Sequence, residues 1–212
     1  MMPNSNKGFT MIESLVAIAI LLIAVLGPMS LLSKAIADSS YARNQVIATY
    51  LAQEGLELVI SERNEIYAQR NVLFPQDADL EGEGYVRGTN WLTGHNPYLG
   101  DETYDGLKPC IENSSGCIID GLVSIDQVRS CGSTECEALL FQDGSKLYQY
   151  ERGDVTPFKR TIKITPIETR AGSGEYKQAK VDVSVKWNNR DDERTFALSS
   201  YVSILSDRAG AN

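Results

Sequence analysis

The first third of the chain is laid out as one long apolar-to-amphipathic gradient. A short polar leader ends at Lys7-Gly8, and from Ser14 to Ser33 no residue is charged. The stretch Leu15 to Leu26 is aliphatic on every side. About 20 apolar residues cross a bilayer core as a helix, so residues 9–33 are predicted to form a helix of membrane length. Gly27-Pro28 lies inside it. Proline removes one helical hydrogen bond and crowds the preceding turn, so a kink or a locally melted turn is expected, either as a hinge or as a tolerated transmembrane proline. Beyond it, from Ala35 to Arg70, there is no proline and a single glycine, Gly55. Val46 and Tyr50, Ile47 and Leu51, Leu51 and Leu58, and Val59 and Ile66 recur at helical spacing, with Arg43, Glu54, Glu57, Glu62, Arg63 and Glu65 between them. This pattern predicts an amphipathic helix over residues 34–70 with one face on a globular domain.

The period changes in the last third. Phe158, Arg160, Ile162 and Ile164 alternate with Lys159, Thr161, Lys163 and Thr165. Val181, Val183, Val185 and Trp187 alternate with Lys180, Asp182, Ser184 and Lys186, and Phe196, Leu198, Ser200, Val202 and Ile204 form a third set. Alternation of period two marks strands. Asn188 to Asp191 is a turn signal, Thr169 to Tyr176 joins the first two strands, and Leu147 to Tyr150 adds an earlier one. Residues 151–212 are expected to form an antiparallel meander whose apolar face packs on the amphipathic helix. Residues 71–150 are rich in Gly, Asn, Asp, Ser and Pro and contain all four cysteines. They read as loops with short strands, near Tyr85-Val86-Arg87 and Ile118-Ile119, and a loop region this long is usually functional.

One charge stands out against this pattern. Glu13 lies at the mouth of the apolar helix, where a carboxylate in hydrocarbon costs roughly 2.5–3.5 kcal/mol on insertion scales. Phe9 is four residues before it, so the two share a helix face. If the chain is cut after Gly8, the new amine on Phe9 can neutralise Glu13 within a subunit or between neighbours, and between neighbours the pair fixes an axial register. A carboxylate in the first turn also complements the positive end of the helix dipole. An ordinary signal peptide, with Ala35-Ile36-Ala37 as its small-residue site, is a rival reading. A plain anchor with an incidental glutamate is another.

The run Lys7-Gly8-Phe9-Thr10-Met11-Ile12-Glu13 resembles the class III leader of type IV prepilins and type II secretion pseudopilins. The match extends to about Leu32. Thr49 to Glu57, and Val183-x-Val185-x-Trp187 followed by Arg194-x-Phe196-x-Leu198, more loosely resemble stretches of minor pilins. The resemblance implies an α+β pilin fold, a long N-terminal helix packed on an antiparallel sheet. It implies cleavage by a prepilin peptidase between Gly8 and Phe9, with residues 1–8 as the leader. Phe9 would be N-methylated, Glu13 would set the assembly register, and Gly27-Pro28 would be a helix hinge. The expected partners are other pilin subunits, prepilin peptidase, and the assembly platform and ATPase. The expected location is the inner membrane, crossed once with the C-terminal domain outside the cytoplasm, and then a surface filament. The expected function is a structural subunit, of the minor kind, in a type IV pilus or related filament. The alternative is a tethered or secreted adhesin or binding module that never polymerises.

Charge and chemistry narrow the rest. The chain carries a formal net charge of −8, so nucleic acid is not an expected partner of the whole domain. If residues 71–150 lie outside the cytoplasm, disulfides persist there. Four cysteines allow three pairings. The local one, Cys110 with Cys117 and Cys131 with Cys136, is preferred, and zinc is the rival, though Cys110-x6-Cys117 is loose for it. Asp101, Asp105 and Glu112 match the first, fifth and twelfth positions of a calcium loop with Gly106 at the sixth. Thr103 and Pro109 spoil that match, and a polar loop is the preferred reading. No cofactor is expected. His95 is the one histidine and there is no phosphate-binding glycine loop, so the chain is not expected to be an enzyme.

Overall fold

The structure is a computed structural model and describes residue 8, residues 10–73, residue 92 and residues 106–121, 128–172, 176–189 and 192–203. Two helices and seven strands are described. Helix α1 runs Met11–Leu73 and α2 Lys108–Glu112. The strands are β1 Cys117–Ile119, β2 Val128–Ser130, β3 Ala138–Gln142, β4 Leu147–Gln149, β5 Asp154–Glu168, β6 Tyr176–Asn189 and β7 Asp192–Ser203. The expected strand at Tyr85-Val86-Arg87 lies outside the described residues. The chain divides into two compact units, up to Asn44 and from Gln45 onward, and α1 contributes to both.

All described strand pairs are antiparallel. β5 is the hub. One of its edges pairs with β6 from Lys159↔Lys186 to Glu168↔Tyr176, and β6 pairs with β7 from Gln178↔Ser203 to Asn189↔Asp192. The opposite edge is shared. β3 pairs its N-terminal half, with Leu140↔Val155, and β1 pairs farther along, with Cys117↔Ile162. β4 reaches the sheet through β3, and β2 through β1. The last three strands are the expected meander. Leu147–Gln149, however, does not lie beside β5: β3 stands between them. A 15-residue strand is long enough to give two short partners one edge, and no local pattern reports that sharing.

The period-two alternation sorts the faces. Phe158, Arg160, Ile162 and Ile164 of β5 and Val181, Val183, Val185 and Trp187 of β6 are buried. Phe141, Tyr148, Phe158 and Trp187 form an aromatic file, with successive ring centroids 5.1, 6.2 and 6.4 Å apart. Against this face lies the Gln45–Ile66 part of α1, whose buried residues are Ala48, Leu51, Ala52, Gly55, Val59, Glu62 and Ile66. They recur three or four apart, as one helix face must, and three of the seven are alanine or glycine, which lets the helix come close to the strands. Two sequence expectations change here. Val46 and Tyr50 are not on the covered face but are 55% and 68% exposed. Glu62, counted among the polar positions, is buried. The observed stripe starts from Ala48, and alanine and glycine carry little weight in a hydrophobic pattern.

Candidate functional site

The helix begins where the motif places its carboxylate. The Glu13 and Ser14 amides both donate to the Thr10 carbonyl, at 3.1 and 3.2 Å. Glu13 therefore lies in the first turn of α1, at the positive end of the helix dipole. Its side chain is exposed. Gly8 is exposed as well, and nothing lies within 4 Å of where a side chain would stand on it. Phe9 lies outside the described residues.

From Met11 onward the helix presents apolar side chains in every direction. Leu15, Ile18, Leu21, Ile23 and Leu26 are all exposed, and so are Met29, Leu31 and Leu32. An 18-residue window of the helix has a mean hydropathy of 2.7 and none of it is buried. By length and composition it can cross a membrane. Two hydroxyls in the stretch are satisfied within the helix. Ser14 Oγ donates to the Thr10 carbonyl at 3.4 Å and Ser33 Oγ to that of Met29 at 3.2 Å, the back-bonding that lets a hydroxyl sit in an apolar helix. The α-helix continues unbroken through Gly27 and Pro28, so the turn there is helical rather than melted.

The cysteines sit beside β5. Cys110 is bonded to Cys117 and Cys131 to Cys136. The first bond ties α2 to β1, and the second closes the loop that follows β2. All four cysteines are buried. Thr161 Oγ1 of β5 donates to Cys136 Sγ at 3.1 Å, and Asn113 Nδ2 donates to the Cys131 carbonyl at 2.9 Å. With every sulfur in a disulfide, the zinc reading of these cysteines is excluded. Of the calcium candidates, Asp101 and Asp105 lie outside the described residues and Glu112 closes α2. Among the described residues no three or more His, Cys, Asp or Glu side chains group as metal ligands. His95 also lies outside the described residues.

What the sequence reading missed is the ion pair that fastens α1 to the sheet. Arg160 points inward from β5 and is 1% exposed. Its Nη1 donates to Glu54 Oε2 at 3.2 Å and to the Leu51 carbonyl at 3.3 Å, and its Nη2 donates to the Ile119 carbonyl at 3.0 Å. The guanidinium lies 5.8 Å from the centroid of the Tyr150 ring, in cation–π range. The Tyr150 amide donates to buried Asp120 Oδ2 at 3.1 Å. Burial raises the Tyr150 phenol pKa, and the neighbouring Arg160 opposes that rise. A buried cation needs such partners. The available signal was a single charge at an inward position of β5, where its neighbours are Phe158 and Ile162.

Residues 3–27 match the family model described as the prokaryotic N-terminal methylation motif. No curated protein and no solved structure matches the chain. The matched residues include the exposed Gly8, the first-turn Glu13 and most of the uncovered apolar helix. This chain carries the N-terminal methylation motif that is the signature of type IV pilins, running into a long helix that packs on an antiparallel sheet.

Proposed function

We propose that the chain is a structural subunit of the minor kind in a type IV pilus or a related secretion filament. The observation that carries this reading is the methylation motif at residues 3–27, placed on a bare apolar helix that continues as α1 into the sheet-bearing unit. In this reading a prepilin peptidase removes residues 1–8 and methylates Phe9. The apolar helix holds the subunit in the inner membrane, with the disulfide-bearing unit outside the cytoplasm. An assembly platform and its ATPase then transfer it into the filament. Bare aliphatic side chains leave lipid for the helices of other subunits, so the transfer exposes no apolar surface to water. Phe9 and Glu13 neutralise each other there and set the axial register. The chain itself performs no catalytic step. The disulfide-clasped strands and the large C-terminal unit support the minor class.

The test is the intact mass and N-terminal peptide of the protein from its own cell. A start at methylated Phe9 is expected. A start at Met1 would leave a tethered module, and a start at Asp38 would mean a secreted domain and overturn the filament reading.

A further inference from the structure

β7 ends the sheet. It pairs with β6 along its whole length and, among the described residues, no strand lies on its other edge. The sheet's other outer strands, β2 and β4, are three residues long, and β7 is twelve. Natural sheets blunt a long edge with charged residues, proline or a bulge, because its unpaired amides and carbonyls are a template for another strand. From Thr195 to Ser203 there is no charge, no proline and no glycine, and the register with β6 runs without a shift. The inward row of this edge is incompletely covered as well. Phe196 and Leu198 are half-buried, whereas Val185 and Val183 opposite them on β6 are buried.

One cation stands at the end of this edge. Arg63 Nη1 donates to the Ser203 carbonyl at 3.0 Å, and Arg63 Nε and Nη2 donate to Asn64 Oδ1 at 3.2 and 2.8 Å. All of these acceptors are neutral. The residues three and four places from Arg63 are Val59, Ile60, Ile66 and Tyr67, so no carboxylate of its own helix faces it. The β6 residue opposite Ser203 is Gln178. Partial burial lowers the Arg63 pKa, the direction for a desolvated cation. Leu56 and Ile60, at helical spacing before Arg63, are half-buried. Backbone, apolar row and charge together define an occupant. We propose that the free edge of β7 accepts an extended segment of an unlike chain, apolar at alternate positions and carrying a carboxylate beside Arg63. Its backbone would pair with Thr195–Ser203, and its apolar residues would complete the cover of Phe196 and Leu198. That the chain is unlike rests on the minor-subunit reading, in which a subunit's neighbours differ from it. The docking edge itself does not depend on that reading.

The test uses the full chain in detergent, with protein-free micelles as the blank. The probes are two short labelled peptides of alternating valine and threonine with amidated ends, one finishing in glutamate and one in lysine. The glutamate peptide is expected to bind about fivefold more tightly, the scale of one exposed ion pair, and to slow amide exchange across Thr195–Ser203. Arg63→Glu, with its native disulfides confirmed by mass, is expected to reverse the preference. A peptide N-methylated throughout cannot donate to a strand edge and is expected not to bind. In the native cell, a photo-crosslinking residue in place of exposed Ala197 should join an unlike chain through a segment with alternate apolar residues and a carboxylate. No binding, binding without protection of β7, or equal affinity for the two charged peptides overturns the docking edge. An adduct within this chain or with a second copy overturns the unlike partner. A mature start at Met1 or Asp38 overturns the filament reading and the choice of an unlike subunit with it, while the peptide results decide the edge by themselves.

Discussion

Arg160 Nη1 stands 3.2 Å from Glu54 Oε2, and the two side chains differ in burial: 2% of the arginine is exposed against 45% of the glutamate. The pair joins β5 to α1, with the charge that water cannot reach on the sheet side. Truncating Arg160 lets Glu54 rehydrate but opens a cavity and strands the Ile119 carbonyl. Arg160→Ala is expected to cost about 3 kcal/mol and Arg160→Met, which keeps most of the volume, about 1–2 kcal/mol. Denaturant unfolding of the full chain in detergent, followed by the fluorescence of buried Trp187, checks the order. Equal losses would mean that the volume of the side chain contributes nothing.

At Gly55 α1 lies close against the sheet. A Cβ there would meet Val183 Cγ1 at 2.9 Å and Arg160 Cδ at 3.0 Å. Alanine favours a helix over glycine by about 1 kcal/mol, but overpacking costs about 1–3 kcal/mol. Arg160 is held by three partners and Val183 by its strand, so neither yields easily. Gly55→Ala is therefore expected to lower the melting temperature despite its helix propensity. A raised melting temperature would show that the helix can step back from β6.

Both disulfides close short loops, with sequence separations of 7 and 5. A short loop still confers about 2–3 kcal/mol through the restricted unfolded chain. Replacing Cys131 and Cys136 together by serine is expected to remove about that much. It should also free the hydroxyl of Thr161 from its sulfur acceptor. Urea unfolding of the pairwise variants measures the loss. Unchanged midpoints would mean that the hydrogen bonds of Asn113 already hold the region.

Tyr150 gives the sheet unit an alkaline limit. Its phenol pKa is raised above the ordinary value of about 10 by burial. Below pH 10 the phenol is neutral in folded and unfolded chains alike, and it leaves the stability unchanged. Above it, the unfolded chain releases the proton and the folded one retains it, so stability falls as pH rises toward the folded value. Tyr150→Phe is expected to flatten that decline. Unfolding midpoints from pH 9 to 11 in both chains provide the comparison, and identical slopes would contradict the assignment.

Glu13→Ala should separate insertion from assembly. The substitution makes the start of α1 more apolar, so membrane insertion and cleavage after Gly8 are expected to persist. Incorporation into filaments is expected to fall below detection, because the Phe9 amine loses its partner in an apolar bundle. Fractionation into membrane and sheared filament checks both halves. Normal incorporation would remove Glu13 from the register.

The helix of membrane length, the first-turn glutamate and the three long strands were legible in the chain because each depends on residues near one another in sequence. A run of uncharged aliphatic residues, a carboxylate four places after Phe9 and an alternation of period two are local facts. The sharing of one β5 edge by β1 and β3 was not legible, since strand pairing couples residues far apart. Nor was the covered face of α1. Ala48, Ala52 and Gly55 look indifferent in a hydrophobic pattern, yet close approach to β5 and β6 requires them to be small. Arg160 could be read only as a charge out of place. The fold supplied its meaning by bringing Glu54, Leu51 and Ile119 within reach of one guanidinium, and in the interior a charge persists only where such partners converge.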